Sequence, residues 1–214
     1  MSKYKLAIFD MDGTLLKDKG IFVIAEKKGF KDELINILRN DNAEFYKRSI
    51  EVASLLKGQS KKEFLEIFRT IPFQDHTKYI INQLKKNNLK TAIVTDSYQF
   101  LADDLKQRLD IDYSFANNLL INNDKITGEL EINNENLLKD FNGNIYSICK
   151  SNVLEKLCMN LGIKLDETIA VGDGKVDIGM IKIAGLGIAF NAPEEVQKHA
   201  DIVTNDLKCI LSYI

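Results

Sequence analysis

The stretch Lys5-Leu6-Ala7-Ile8-Phe9-Asp10-Met11-Asp12-Gly13-Thr14-Leu15 joins a short apolar run to two acidic residues and a glycine. A continuous apolar run bounded by polar residues is typical of a buried parallel strand. Asp10 and Asp12 are two residues apart, so on an extended chain their side chains leave the strand end in the same direction. Ligands bind at this carboxyl end of the strands in open α/β sheets. Gly13 allows the chain to turn there without steric cost.

Further apolar runs predict more strands of the same sheet, at residues 91–94, 168–171, 187–190 and 201–203. Amphipathic stretches between them predict helices, and this alternation indicates a parallel sheet with helices on both faces. Residues 119–132 alternate weakly around Asn123-Asp124-Lys125 and predict a β-hairpin. The Asn-rich stretch 133–144 predicts a surface loop with a short helix.

Residues 16–73 interrupt this rhythm, because they contain helical patterns and no strand-like run. The patterns cover residues 21–28, 32–39, 43–56 and 60–69, the last opened by the capping-box pair Ser60 and Glu63. We interpret 16–73 as a helical cap domain inserted into a core domain formed by 1–15 and 74–214. The alternative, four helices packed on the sheet as part of the main domain, is less favoured because no strands separate them.

The composition favours a cytoplasmic protein. The chain has 214 residues, 45% of them hydrophobic, and a net charge of -2, without the basic character of nucleic-acid-binding proteins. No segment predicts a signal peptide or a membrane span. Cys149, Cys158 and Cys209 match neither a disulfide framework nor a zinc site. We therefore expect no nucleic-acid partner and no membrane contact, while the oligomeric state stays open.

A second acidic cluster, Gly172-Asp173-Gly174-Lys175-Val176-Asp177, follows another apolar run. Asp173 and Asp177 are therefore expected at the same sheet edge as Asp10 and Asp12. Four carboxylates in one crevice would repel each other strongly unless a cation lies among them. Because Mg²⁺ prefers hard oxygen ligands in a partly hydrated site, the sequence predicts a Mg²⁺ site.

Two further residues fit a phosphate group. Thr95 follows the strand 91–94 and precedes a helix expected over 98–109, and a hydroxyl beside amides at a helix start is typical of an anion site. Lys150 opens the helix expected over 151–161, where a positive charge is unfavourable unless an anion lies nearby. Taken alone, each residue would be unremarkable.

In their order along the chain, residues 10–14, Thr95, Lys150 and 172–177 resemble the four motifs of the haloacid dehalogenase (HAD) superfamily. The likeness is closest to the phosphoserine phosphatase branch, spans nearly the whole chain and includes the place of the helical cap. It implies a Rossmann-like α/β core. It also implies Mg²⁺-dependent hydrolysis of a small phosphate ester through a phospho-aspartyl intermediate.

The resemblance implies a role for each motif residue. Asp10 would be the nucleophile, and Asp12 the general acid and base whose backbone carbonyl contacts Mg²⁺. Lys150 would bridge the phosphate and the nucleophile. The implied phosphate-binding residues are Asp10, Gly13, Thr95, Asp96 and Lys150. The implied metal site comprises Asp10, Asp12, Asp173 and Asp177.

Several positions depart from the pattern of that branch. Asp96-Ser97 stand where it carries Gly-Gly, and Val176 replaces an Asn, so it cannot hydrogen-bond a metal-bound water. Lys19 stands where the branch carries a Glu for the serine ammonium, and Val52 where it carries an Arg for the carboxylate. Arg48, about one helical turn before Val52, is a candidate substitute. We therefore expect that phosphoserine is not the preferred substrate.

Three alternatives stay open at this point. A phosphotransferase or mutase would use the same intermediate, with a second hydroxyl in place of water. A receiver-like signalling domain shares the acidic pocket, the Thr and the Lys, but needs neither a cap nor a leaving-group acid such as Asp12. An inactive relative is disfavoured by the intact acids, although Val176 leaves it slightly open.

Overall fold

The computed structural model describes residues 2–40 and 43–214. These residues form a sheet of the strands β1 (Leu6–Phe9), β2 (Lys90–Tyr98), β3 (Tyr113–Asn122), β4 (Lys125–Glu131), β5 (Thr168–Gly172), β6 (Leu186–Phe190) and β7 (Ile202–Thr204). The helices are α1 (Gly20–Lys28), α2 (Lys31–Leu38), α3 (Phe45–Leu55), α4 (Lys61–Phe68), α5 (Thr77–Lys86), α6 (Gln99–Leu109), α7 (Lys150–Leu161), α8 (Ile178–Ile183) and α9 (Glu194–Gln197).

The strands lie in the order β4-β3-β2-β1-β5-β6-β7. β1 pairs in parallel with β2 on one side and with β5 on the other, and only β4 runs antiparallel to its neighbour. The chain therefore moves outward from β1 in one direction and later returns to continue on the other side. The carboxyl end of β1 lies at this reversal of strand order, where ligands bind in open α/β sheets. The α/β fold expected from the sequence is confirmed.

The two faces of β1 contact different helices. Ala7 and Phe9 belong to an apolar cluster that also holds residues of α5 and α6. Leu6 and Ile8 belong to a second cluster with residues of α7. Because both faces are covered, a strand in this position needs a continuous apolar run rather than an alternating one. The same alternation places Asp10 on the side of α7.

Helices α1 to α4 lie between β1 and β2 in the chain, at bounds close to the expected patterns. α1 contacts α2 and α4, and α2 contacts α3. The capping box is formed at least in part, since Ser60 Oγ accepts a hydrogen bond from Glu63 N at 3.2 Å. The apolar cluster on one sheet face continues into these helices through Leu34, Leu56 and Phe64. The division into a cap domain and a core domain stays a prediction.

The expected β-hairpin is present as β3 and β4, joined through Asn123 and Asp124, whose φ angles of 46° and 66° suit a tight hairpin turn. It lies against the start of α4. Gly58 N donates to Ile126 O at 2.8 Å, and Ser60 Oγ donates to the Asp124 carboxylate at 2.6 Å. The hairpin therefore braces the helices that follow β1.

Three details differ from the sequence-based expectation. β2 continues to Tyr98, which pairs with Asn117 after an irregular register, so the next helix begins at Gln99. β3 starts at Tyr113 with a parallel segment beside β2 that the sequence pattern did not indicate. Residues 133–144 contain no helix. There the Asn134 amide bonds the Leu138 and Tyr146 carbonyls, a tie that hydrophobic periodicity cannot predict.

None of the helices among residues 2–40 and 43–214 is long and apolar enough to cross a membrane. The three cysteines are free, and Cys158 is a buried residue of α7.

Candidate active site

The loop after β1 is positioned by the neighbouring strand and by a glycine. Asp10 N donates to Val171 O on β5 at 2.9 Å, and the Asp10 side chain is buried. Gly13 has a φ of +91°, and a Cβ there would lie 2.5 Å from Asp173 Oδ2. Only glycine tolerates both the conformation and the contact. The first and second acidic clusters thus meet at Gly13.

Lys150 is the first residue of α7 and is 2% exposed. Its Nζ donates to Asp10 Oδ1 at 2.6 Å and to Asp177 Oδ1 at 2.5 Å. Burial would lower the pKa of Lys150, but the two carboxylates outweigh burial and hold that pKa above its ordinary value. The lysine therefore keeps its charge at the bottom of the site.

Asp177 is fully buried and holds the loop after β5 in place. Its Oδ2 accepts hydrogen bonds from Asp173 N at 3.0 Å and from Gly174 N at 2.8 Å. A Cβ at Gly172 would collide with the Asp177 side chain, so the strand end must be glycine. Asp177 thus fixes both the position of Lys150 and that of the Asp173 backbone.

Carboxylate oxygens of Asp10, Asp173 and Asp177 lie within 4.8 Å of one another. Burial raises the pKa of Asp10 well above its ordinary value; Lys150 opposes this rise, while Asp177 and Asp173 add to it. Burial, followed by Asp177, likewise raises the pKa of Asp173. The site therefore holds more negative charge than its buried lysine offsets. A hard divalent cation fits this donor set.

Asp12 faces the helices inserted after β1. Its Oδ1 accepts a hydrogen bond from Gly20 N, the first residue of α1, at 2.6 Å. Burial raises the pKa of Asp12 to about 7, although the Gly20 hydrogen bond opposes the rise. Its side chain is absent from the group of metal-compatible carboxylates found among the described residues. Asp12 thus has a different hydrogen-bond partner from Asp10, and it lies outside the carboxylate group that could hold a metal.

Thr95 is fully buried, and its hydroxyl accepts a hydrogen bond from Ser97 N at 3.2 Å. The expectation that the strand ends before Thr95 is wrong, because β2 continues to Tyr98; α6 begins at Gln99, one residue after the expected start. The amides near Thr95 belong to the irregular end of a strand. Asp96 follows it and is exposed.

A cavity of about 220 Å³ lies between these loops and helices α1 to α3. We call its charged lining the acidic floor, although it includes a lysine: Asp10, Asp12, Lys19, Asp96 and Asp173. We call a second group of lining residues the apolar wall: Ile21, Phe22, Leu34, Leu38, Val52 and Tyr98. Ser49, Ser97, Gly174 and Val176 complete the lining.

The three tentative specificity residues occupy different places. Lys19 and Val52 both line the cavity. Arg48 is not among the residues that line it, and its guanidinium donates to Leu38 O and Ala43 O, each at 3.0 Å. Arg48 therefore ties α3 to the end of α2, and the structure does not favour it as a substitute grip on a substrate carboxylate.

Lys19 lies among the floor carboxylates. Partial burial would lower the pKa of Lys19, but the charges of Asp173 and Asp96, followed by those of Asp10 and Asp12, raise it above its ordinary value. Among the described residues its ammonium forms no ion pair within 4.0 Å. Its charge is thus attracted to the floor as a whole.

Most of the apolar wall was not predicted from the sequence, and neither was Ser49. The apolar residues of 21–28 and 32–39 predicted two helices. The pattern could not indicate which of these apolar residues line a cleft, because a helix face in the core and one that lines a cleft show the same apolar periodicity.

Comparison with known proteins agrees with this geometry. The sequence profile of the haloacid dehalogenase-like hydrolases matches residues 7–182. The chain belongs to this family. A phosphoserine phosphatase of Methanocaldococcus jannaschii is 33% identical over 99% of this chain and 98% of that protein. One of Campylobacter jejuni subsp. doylei is 33% identical over 98% of this chain and 99% of its own length.

Solved structures give the same result for this HAD protein. A phospho-aspartyl intermediate analogue of phosphoserine phosphatase matches with a TM-score of 0.83 at 33% identity, covering 99% of each chain. A substrate-bound phosphoserine phosphatase complex matches with a TM-score of 0.84 at 31% identity, covering 100% of each chain. The protein is thus a HAD-type phosphatase that resembles phosphoserine phosphatases.

The raised pKa of Asp12 predicts a pH-dependent stability. The ordinary pKa of Asp12 is 3.8, and in the folded protein it is about 7. At pH values between these two, the folded protein binds more protons at Asp12 than the unfolded chain does. Stability from this residue is therefore highest near pH 4 and falls as pH rises through 7. In chelator-treated buffer, we expect Asp12→Asn to unfold at a higher temperature than the wild type, by a margin that grows over this range.

Thermal unfolding at several pH values measures this margin. Asp18→Asn, which removes an exposed carboxylate from the same loop, is the matched control and should show no such trend. A margin that stays constant or shrinks between pH 4 and pH 7 would show that the pKa of Asp12 is not raised in the fold.

Proposed function

We propose that the protein hydrolyses a small phosphate monoester with Mg²⁺, through a phospho-aspartyl intermediate on Asp10. The observation that carries the proposal is the buried Asp10 carboxylate at the cavity floor, with Lys150 Nζ 2.6 Å away. Lys150 would offset charge on the phosphoryl oxygens and allow a carboxylate to approach a phosphate. The likeness to a phospho-aspartyl intermediate analogue of phosphoserine phosphatase supports the same chemistry.

In the proposed first step, an Asp10 oxygen bonds to phosphorus as the bond to the alcohol oxygen breaks. Asp12 gives its proton to that departing oxygen. A pKa of about 7 supports this role, because Asp12 is then protonated in a substantial fraction of molecules near neutral pH. In the second step, Asp12 takes a proton from water, whose oxygen bonds to phosphorus and releases phosphate from Asp10.

The phosphoryl group would be held by residues at the ends of β1 and β2. Gly13 lets the first loop pass close to Asp173 without a side chain in the way. Asp96 lines the cavity, and we propose that its backbone amide is one of the donors. The Thr95 hydroxyl accepts a hydrogen bond from Ser97 N, and we propose that it donates its own hydrogen to a phosphoryl oxygen.

Mg²⁺ would be held by Asp10 and Asp173, with the Asp12 backbone carbonyl as the remaining protein ligand expected from the resemblance. Asp177 belongs to the same carboxylate group, but its oxygens already accept hydrogen bonds from Lys150, Asp173 and Gly174. We propose that it supports the site from behind. When bound, the cation would supply Lewis-acid stabilisation of phosphoryl charge.

The substrate is proposed to be an ester other than phosphoserine. The relatives named as phosphoserine phosphatases support a small phosphate ester as the substrate class. However, Lys19 and Val52 line the cavity at the positions where that branch carries its Glu and Arg. Lys19 repels an ammonium group, and Val52 cannot pair with a carboxylate.

The first prediction concerns the nucleophile. Asp10→Asn should reduce phosphate release from every ester to background, because an amide does not attack phosphorus. Wild-type activity should vanish with chelator and return with added Mg²⁺. Phosphate release is the measurement, and Asp18→Asn is the control for loss of a carboxylate in the same loop. Near wild-type turnover by a folded Asp10→Asn variant would rule out the covalent mechanism.

The second prediction concerns substrate choice. The double variant Lys19→Glu with Val52→Arg should raise kcat/KM for phosphoserine by about tenfold or more, since each charge-assisted hydrogen bond is worth ~1.5–3 kcal/mol. Lys27→Glu with Ile50→Arg makes the same charge changes at exposed positions and should have no such effect. If wild-type protein prefers phosphoserine over all other esters, the substrate proposal is wrong.

A further inference from the structure

The lining of the cavity contains two chemically distinct groups of residues. All charged side chains that line it, among the described residues, belong to the acidic floor. The apolar wall is built from residues of α1, α2, α3 and the end of β2. In a cavity of about 220 Å³, a phosphate ester bound with phosphorus at Asp10 would bring its alcohol part against residues of the wall.

The wall offers little to a charged alcohol. Ser49, Ser97 and Tyr98 are the lining residues with uncharged polar side chains. Arg48, on α3, bonds the Leu38 and Ala43 carbonyls. Lys19 belongs to the acidic floor, where the charges of neighbouring carboxylates attract its ammonium. Against the wall residues, a group with both an ammonium and a carboxylate would lose water without a charged partner, because the charged side chains of the lining all belong to the floor.

We infer that the preferred substrate is the phosphate ester of a small apolar, uncharged alcohol, with Phe22, Leu38 and Val52 as specificity-determining residues. The inference rests on the proposed function for the position of the phosphate. A volume of about 220 Å³ is smaller than the ~300–1,000 Å³ pockets that hold drug-sized ligands, so the alcohol is small. Each methylene buried against the wall should improve binding about fourfold.

Two matched series test the inference. The first measures kcat/KM for straight-chain primary alkyl phosphates from methyl to hexyl, beside phosphoserine and phosphoethanolamine. All are esters of primary alcohols, so leaving-group chemistry varies little among them. We expect kcat/KM to rise with chain length until the cavity is full, and both charged esters to stay about tenfold or more below the best alkyl ester.

The second series measures equilibrium binding of the corresponding alkylphosphonates, which cannot be hydrolysed. Affinity should rise with chain length whether or not the protein turns over esters. Leu38→Asn and Phe22→Ser, at half-buried wall positions, should flatten the rise of affinity with chain length. Ile50→Asn, on the exposed side of α3, is the matched control and should keep the wild-type slope.

The outcomes separate the two claims. Absent phosphate release with a retained chain-length slope in binding would refute the proposed function and support the apolar subsite. A flat slope in binding, or phosphoserine as the best ester, would overturn the inference while hydrolysis through Asp10 stands. Phosphoethanolamine above the alkyl esters would also overturn it, because its ammonium would then pair with Asp96.

Discussion

The buried lysine between two carboxylates is the interaction on which the site depends. Lys150 reaches Asp10 and Asp177 at 2.6 and 2.5 Å from the first position of α7. A cation buried without these partners would be strongly unfavourable, and so would either carboxylate without the lysine. The contact therefore joins three segments distant in sequence, at the ends of β1 and β5 and at the start of a helix on one sheet face. The continuous apolar runs of these strands bring the segments together.

The same contact leaves the site with an excess of negative charge. Lys150 offsets part of it, and the pKa values of Asp10 and Asp173 stay above their ordinary values. A phosphatase would gain from this arrangement, because a bound divalent cation would offset the remaining negative charge and allow an anionic phosphoryl group to approach. Asp12 lies apart, bonded to Gly20 N and with a pKa of about 7. The two aspartates of one motif therefore differ in their partners, since Asp10 accepts a hydrogen bond from Lys150 and Asp12 accepts one from Gly20 N.

Much of the fold and the floor could be predicted from the sequence, because continuous apolar runs and acids at strand ends are local signals. The end of β2 was misjudged, since Tyr98 is drawn into the sheet by Asn117, a contact between distant residues. The helix-free loop at 133–144 depends on the Asn134 amide, and hydrophobic patterning carries no information about such bonds. The apolar wall required the tertiary structure, because helix periodicity does not separate a core face from a cleft face. Arg48 is not favoured as a ligand of a substrate carboxylate, because its guanidinium donates to the Leu38 and Ala43 carbonyls, and the sequence pattern does not indicate such contacts.

We propose that Asp10 carries the phosphoryl group during turnover. Quenching the reaction with borohydride during hydrolysis reduces an acyl phosphate, and peptide mass spectrometry then locates the reduced residue. We expect homoserine at position 10, formed only when a hydrolysable ester and Mg²⁺ are both present. Reduction at another aspartate, with Asp10 unchanged in samples that hydrolyse the ester, would contradict the role of Asp10.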